Sequence, residues 1–225
     1  MALSRGDLDT AVEHATTAGQ TATRPAQSFG VAALASAYRG DLDRARTLNE
    51  TFRAVALSPT LEAFHAYIGG EIAGLEAEPH RALAHYDRAI ELARSVRSTF
   101  VEGIAAVGRL SQIAKTDAGQ ALGGYRDLID YWERTGSWVQ QWTTLRNIAD
   151  LLQQEGEADA AMFLRASAAA APDAPALPDV GNDTPLAAHE SQLVAEARGA
   201  TRNEVLSVAR AVIDRHLAAR LEGVP

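Results

Sequence analysis

The chain contains Gly6-Asp7-Leu8-Asp9-Thr10-Ala11 and, 34 positions later, its near copy Gly40-Asp41-Leu42-Asp43-Arg44-Ala45. In such a unit glycine ends one helix, aspartate caps the next, and the small alanine lets the two helices approach closely. A repeat of about 34 residues is typical of helix hairpins that follow one another along a chain. The two copies therefore predict an array of antiparallel helix pairs.

Weaker copies of this unit follow at 77–82, 116–121 and 156–161. The period is that of tetratricopeptide (TPR) repeats, and we expect an all-α, TPR-like right-handed superhelix with a concave inner face. Each copy ends in an anchoring alanine, and the spacing between these alanines grows from 34 to 40 residues: Ala11, Ala45, Ala82, Ala121 and Ala161.

The same pattern predicts where the helices lie. First helices of successive pairs are expected at 26–39, 60–76, 98–115 and 137–155, and the clearest second helix at 79–97. In that second helix Ala82, Tyr86, Ala89 and Ala93 recur with helical spacing, and Pro79 occupies the tolerated first turn. No segment alternates with a period of two, so strands are not expected. Because so little chain precedes the first copy, we expect this sequence to be part of a longer protein.

Residues 171–185 hold four of the eight prolines and are predicted to be a linker. Two further helices are expected at 186–198 and 202–221, the second opened by a capping box from Thr201 to Glu204. Three parts follow: repeats over 1–170, the linker, and a C-terminal pair over 186–225 that caps the end of the superhelix.

Charge and composition exclude several classes of function. The net charge of −8 does not suit a surface that neutralises nucleic-acid phosphates or an anionic membrane. Cysteine is absent, which excludes disulfides and thiolate metal sites. No apolar run approaches the roughly 20 residues of a membrane span. We therefore expect a cytoplasmic protein without direct nucleic-acid or membrane contacts.

Aromatic and charged side chains on the first helices are candidates for a binding groove. Trp138, Gln141, Trp142 and Arg146 lie within successive turns of one helix, where they could stack on a ligand or grip a peptide carboxylate. The alternative is packing between repeats, which large aromatic side chains also provide.

Alignment of the helix pairs on their alanines puts a second group of side chains at groove-facing positions: Tyr38, Phe64, Tyr67 and Glu71. Core packing is again the alternative, although the hydroxyl of Tyr67 requires a polar partner. The mid-helix glycines 69 and 70 indicate either a close helix crossing or a ligand near the backbone, and the crossing is favoured.

Enzymatic chemistry has no support in the sequence. His80 and His85 are five residues apart, the wrong spacing for a helical metal pair, and the other histidines are scattered. Asp87 and Glu91 alternate with arginines as on a solvated helix face. We expect no catalytic residues, no metal and no cofactor.

The stretch from Trp138 to Ala149, continued by Gly156 to Ala166, resembles the C-terminal TPR region of large bacterial ATPase-type transcriptional regulators. In that family a Trp-x-x-x-Trp-x-x-Leu-x-x-Leu-Ala helix precedes a Gly-Asp-x-x-x-Ala helix, and a Pro-rich connection and a helix opening with Thr-x-x-Glu commonly follow. The segments 172–178 and 201–209 occupy those places.

The resemblance implies a sensor or interaction domain that binds a protein segment or a small-molecule effector and contacts other domains of the same parent protein. The chain lacks Gly-x-x-x-x-Gly-Lys-Ser/Thr, so ATP binding does not carry over. Five arginines balance five acidic residues in the terminal helix pair, which does not suit DNA reading. Two alternatives stay open: a stand-alone TPR adaptor that binds an extended peptide, and the solenoid region of a cyclase-type enzyme. No surface patch in the sequence specifies an oligomeric state.

Overall fold

The computed structural model describes Thr10 and residues 25–56, 58–175 and 187–223. This part of the chain consists of helices and short connections, without strands. Its ten helices are α1 (Pro25–Tyr38), α2 (Leu42–Val55), α3 (Pro59–Leu75), α4 (Pro79–Ser95), α5 (Thr99–Ile113), α6 (Ala118–Thr135), α7 (Trp138–Gln154), α8 (Ala158–Ala170), α9 (Ala188–Gly199) and α10 (Arg202–Leu221). Apart from Thr10, the first repeat copy at 6–11 lies outside the described residues, as do positions 176–186 of the linker region.

The all-helical prediction is confirmed for the described residues, and the helices pack as adjacent pairs. The first helices expected from the sequence correspond to α1, α3, α5 and α7, and the expected second helix at 79–97 corresponds to α4. The boundaries agree closely because turn and cap residues act locally on the backbone.

The chain divides into two compact units, residues 1–112 and 113–225, and this boundary falls inside the segment that the sequence treats as one array. In the first unit α1 packs on α2 and α3, and α3 packs on α4. Phe52, Ile68 and Tyr86 are its largest fully buried side chains, with alanines filling the close contacts between helices. Burial of each large side chain stabilises the fold by roughly 1.5–3 kcal/mol.

In the second unit α7 packs on α6 and α8, α9 packs on α8, and α10 contacts both α6 and α8. The core contains Trp132, Leu145, Leu164 and Leu206, all fully buried. Arg210 of α10 bonds the carboxylate of Asp130 on α6 at 2.7 Å, which fixes the last helix on residues far earlier in the chain.

The repeat unit forms the turns that its residue types predict. Gly40 and Gly156 end first helices with φ of 82° and 88°, in the left-handed region that favours glycine. Ala77 occupies the equivalent position with φ of 59° although it is not glycine. Asp41 and Asp117 cap the following helices through their side chains, whereas the longer glutamates at positions 78 and 157 make no such bond.

The anchoring alanines of the described copies are fully buried: Ala45, Ala82, Ala121 and Ala161. The capping box at the start of α10 is also confirmed, since Thr201 and Glu204 exchange side-chain and backbone hydrogen bonds. A small side chain at each anchor lets the paired helices approach as the repeat predicts.

The glycines at the middle of α3 mark the helix crossing that the sequence favours. A Cβ at Gly70 would lie 2.6 Å from Cε1 of Tyr86, and a Cβ at Gly69 would lie 2.8 Å from Nδ1 of His85. Both contacts come from α4, so the glycines permit the close approach of α3 and α4. None of the described helices is both long and apolar enough to cross a bilayer.

Candidate functional site

Three tyrosine hydroxyls surround one carboxylate in the first unit. Tyr38 donates to Oε2 of Glu71 at 2.8 Å, and Tyr86 donates to Oε1 of the same side chain at 2.8 Å. The hydroxyl of Tyr67 lies 3.4 Å from that of Tyr38 and helps to stabilise the charged form of Glu71. We call these four residues the tyrosine–glutamate site.

Helix geometry positions each member of the site. Tyr38 is the last residue of α1, Tyr67 and Glu71 are one turn apart on α3, and Tyr86 lies in the middle of α4. The ring of Tyr86 fits only because glycines face it from both neighbouring helices. Gly108 on α5 is as close as Gly70 on α3, since a Cβ at position 108 would lie 2.5 Å from Cε1 of the ring.

The site is electrostatically unusual. Removal from water raises the pKa of Glu71 above its ordinary value, and the three hydroxyl donors oppose this by stabilising the carboxylate. Burial, followed by the charge of Glu71, raises the pKa of Tyr38 and of Tyr67. The tyrosines therefore stay protonated and act as donors, and any negative charge in the site belongs to Glu71.

A second partly buried carboxylate, at the end of the same helix, is paired with arginines instead of hydroxyls. Glu76 follows α3 directly, and its side chain is only 11% exposed. It forms ion pairs with Arg46 and Arg81. Among the contacts that the structure gives for Glu71, the donors are hydroxyls and not cations.

The structure thus brings three of the four expected groove residues of the first unit to one point. The fourth, Phe64, is partly buried beside them. Its ring stacks on Tyr67 with centroids 5.9 Å apart and meets Phe52 edge-on at 6.0 Å. Phe64 joins the site to the core and supports the ring of Tyr67 from behind.

The expected patch on α7 is arranged differently. Trp138 is 37% exposed, and the guanidinium of Arg202 lies 4.6 Å from the centre of its ring. Trp142 is buried, and its indole nitrogen donates to Oδ1 of Asp173 at 2.8 Å. Asp173 also bonds Arg202, so the connection after α8 is tied to both tryptophans and to the start of α10.

The two polar members of that expected patch point into packing contacts. Gln141 is buried and donates to the backbone oxygen of Ile129 at 3.4 Å. Arg146 donates to the backbone oxygen of Ala168 at 3.2 Å, and burial lowers the pKa of its guanidinium. Trp138 is therefore the member of the α7 group with the most accessible ring.

Sequence reasoning missed three participants. Tyr86 was assigned to the buried stripe of α4, which is correct, but its hydroxyl also completes the tyrosine–glutamate site. Arg202 and Asp173 carried no local signal, because their partners on α7 lie about 30 or more positions away in sequence.

An open pocket in the second unit is lined by charged side chains that already bind one another. Glu155 contacts His216 and Arg220, and Glu157 contacts Arg215, around a volume of about 670 Å³. Within the described residues, no three His, Asp or Glu side chains gather where they could hold a metal ion.

These observations leave the tyrosine–glutamate site as the candidate functional site, with the exposed ring of Trp138 as a second contact surface. Comparison with protein-family models, with curated proteins and with solved structures found no match to this chain. Its function is therefore inferred from the chemistry of the site itself.

Proposed function

We propose that this chain is a TPR-like helical-repeat domain that binds a protein segment or a small-molecule effector, and that it serves as the sensor or interaction domain of a bacterial multidomain transcriptional regulator. Its role is binding rather than catalysis. The domain acts in the cytoplasm and passes the effect of binding to other parts of the same protein.

The observation that carries this proposal is the tyrosine–glutamate site. It draws polar side chains from α1, α3 and α4 to one point, with Tyr38 at the surface. A helical array needs only apolar contacts there, and exchanging buried charges for apolar groups of similar volume is often neutral or stabilising. Polar groups that break the packing rule without a gain in stability are expected at functional positions.

The repeat geometry supports the TPR-like part of the proposal. Fully buried anchoring alanines, left-handed turns after first helices and adjacent helix pairs are the features that a right-handed superhelix requires. In this proposal α9 and α10 form the cap, and the exposed side chains of Tyr38 in the first unit and Trp138 in the second unit each take part in binding within their own unit.

The physical route for sensing is a shift between two helix packings. Tyr38 on α1 is bonded to Glu71 on α3, so a ligand that replaces this bond favours a different packing of the two helices. The regulator assignment rests on the resemblance of the α7–α8 region. A P-loop ATPase encoded upstream in the same reading frame would support it, and a cyclase domain in that place would contradict it.

A thermal-shift screen of metabolites and peptides tests the binding role. A ligand at about 100 times its Kd stabilises the folded state by about 2.7 kcal/mol, enough to raise Tm by several degrees. The screen is repeated on Tyr38→Ala, on Trp138→Ala and on the control Phe100→Ala. Phe100 on α5 is about as exposed as Tyr38 but belongs neither to the tyrosine–glutamate site nor to the Trp138 surface.

We expect binders whose shift is lost in Tyr38→Ala or Trp138→Ala and retained in Phe100→Ala. Binders that act equally on all four proteins would place the binding surface elsewhere and refute the proposal. A full screen without any binder would refute it as well.

A further inference from the structure

We propose that the group recognised at Glu71 is a cation, an ammonium or guanidinium group of the ligand, which enters by displacing the hydroxyl of Tyr38. This inference rests on the proposed binding function and deepens it by naming the chemistry of the ligand. Three observations carry it: the charge environment of Glu71, the aromatic rings around it, and the exposure of Tyr38.

The first observation is that Glu71 departs from the way this chain pairs its carboxylates. Glutamates with side chains no more than 30% exposed form ion pairs with arginines in four described cases: Glu76, Glu102, Glu155 and Glu157. Glu71 is partly buried, yet the groups that donate hydrogen bonds to it are tyrosine hydroxyls. A carboxylate removed from water and left without a cation lowers its free energy when a cation binds beside it.

The second observation is that Tyr67 and Tyr86, beside this carboxylate, belong to a series of packed aromatic rings. Phe64, Tyr67 and Tyr86 form a continuous series, with centroids 5.9 Å and 6.3 Å apart along it. Ring faces carry partial negative charge and attract ammonium and guanidinium groups. A cation that reaches Glu71 can also interact with these rings, which favours it over a neutral or anionic group.

The third observation is that only one of the three hydroxyls comes from an exposed residue. Tyr38 is 44% exposed and ends α1 beside the turn at Gly40, whereas Tyr67 and Tyr86 are held by packing at 7% and 1% exposure. A bond from a charged donor to a carboxylate is stronger than one from a neutral hydroxyl. A ligand cation can therefore take the place of Tyr38 at Oε2 while the two buried tyrosines keep the carboxylate in position.

The test is a titration followed by two-dimensional amide NMR of the full chain with four small probes. Butylammonium and butylguanidinium carry the cation, 1-butanol carries the same alkyl chain without charge, and butyrate reverses the charge. The proteins are wild type, Glu71→Gln and the control Glu62→Gln, which makes the same change at an exposed position of α3.

We expect saturable shifts around Tyr38 and Glu71 with the two cations and not with butanol or butyrate. Glu71→Gln should weaken cation binding at least about tenfold, the value of one charge-assisted hydrogen bond, and Glu62→Gln should leave it unchanged. The proposal is overturned if neither cation gives saturable shifts at the site, if butanol binds equally, or if both glutamine variants behave alike. In each of those cases Glu71 acts as a structural carboxylic acid.

A second variant keeps the test informative if Glu71→Gln does not fold. Tyr38→Phe keeps the ring and removes only the hydroxyl that competes with the ligand for Glu71, so cation affinity should rise several-fold. Unchanged or weaker affinity in Tyr38→Phe would count against displacement. A ligand from the screen that needs Tyr38 but ignores Glu71→Gln would refute the cation and leave the binding function intact.

Discussion

Substitution of Gly108 by alanine places a methyl group against the ring that completes the tyrosine–glutamate site. The added Cβ would lie 2.5 Å from Cε1 and 2.6 Å from Cζ of Tyr86, and 2.9 Å from Oε1 of Glu71. Carbon contacts of this length are not tolerated, and Tyr86 cannot swing away because it is fully buried. The ring must shift, and its hydroxyl leaves Glu71.

The magnitude follows from three terms. Overpacking costs about 1–3 kcal/mol, and loss of a hydrogen bond to a charged acceptor costs about 1.5–3 kcal/mol. The higher helix propensity of alanine returns about 1 kcal/mol. We therefore expect Gly108→Ala to lower the free energy of unfolding by about 3 kcal/mol.

The same substitution at Gly123 in α6 serves as the matched control. A Cβ there would meet only Cδ1 of Leu217 at 4.0 Å, an ordinary contact, so Gly123→Ala should stabilise the protein by about 0.5–1 kcal/mol. The two variants are expected to differ in sign although both replace glycine by alanine inside a helix.

Urea unfolding followed by far-ultraviolet circular dichroism measures the effect, and tryptophan fluorescence follows the second unit, because all three tryptophans lie there. A third variant, Gly108→Ala combined with Tyr86→Leu, removes the ring. In that background the alanine should cost far less, which gives a large coupling energy between the two positions. Equal or greater stability of Gly108→Ala relative to wild type would refute the packing described for Tyr86.

Three further predictions concern turns, titration and buried hydrogen bonds. Ala77→Gly should raise the free energy of unfolding by about 0.5–1 kcal/mol, because glycine relieves the positive φ at this position. The control Ala84→Gly, at an exposed position inside α4, should lower the free energy of unfolding by about 1 kcal/mol. Urea unfolding of both variants measures the difference. Because the pKa of Glu71 is raised, the folded protein keeps the proton of this carboxyl group to a higher pH than the unfolded chain does. The stability that this proton contributes is therefore present at acid pH and is lost as the pH rises through the pKa of Glu71 in the folded state. Glu71→Gln should therefore gain stability relative to wild type between acid and neutral pH, and a difference that does not change with pH would contradict this. Thr144→Val leaves the buried indole N–H of Trp132 without its acceptor and should cost about 1–3 kcal/mol in fluorescence-monitored unfolding; an unchanged midpoint would show that the bond contributes nothing.

Structural features could be predicted from the sequence when the residues that form them lie close together along the chain. Helix positions were accessible because their signals act over a few residues: Gly40 in a left-handed turn, Pro79 in a first turn, and Thr201 in a capping box. The anchoring alanines were equally readable, since a repeated small residue at a fixed place in a hairpin has one packing role.

The candidate site was only partly readable. Alignment of the repeats brought Tyr38, Tyr67 and Glu71 to comparable positions, because equivalent residues of stacked hairpins face the same way. Spacing along one helix gave Gln141 a groove-facing role beside Trp138 and Trp142, but Gln141 is buried and bonds α6 instead. A few tens of degrees in the rotation of a helix about its axis separate these two outcomes, and residue spacing along one helix does not fix that rotation.

The amino-acid sequence by itself determined that the described part of the chain is helical, where its first helices and its two C-terminal helices lie, and which small residues lie between paired helices, because backbone hydrogen bonding and capping are local. Only the tertiary structure decided that Tyr86 reaches Glu71 between two glycines and that Arg202 stacks on one part of the Trp138 ring. These contacts depend on the crossing angle and axial offset of helices, which core packing sets across the whole unit. The residues that give the chain its candidate chemistry were thus selected by packing between helices.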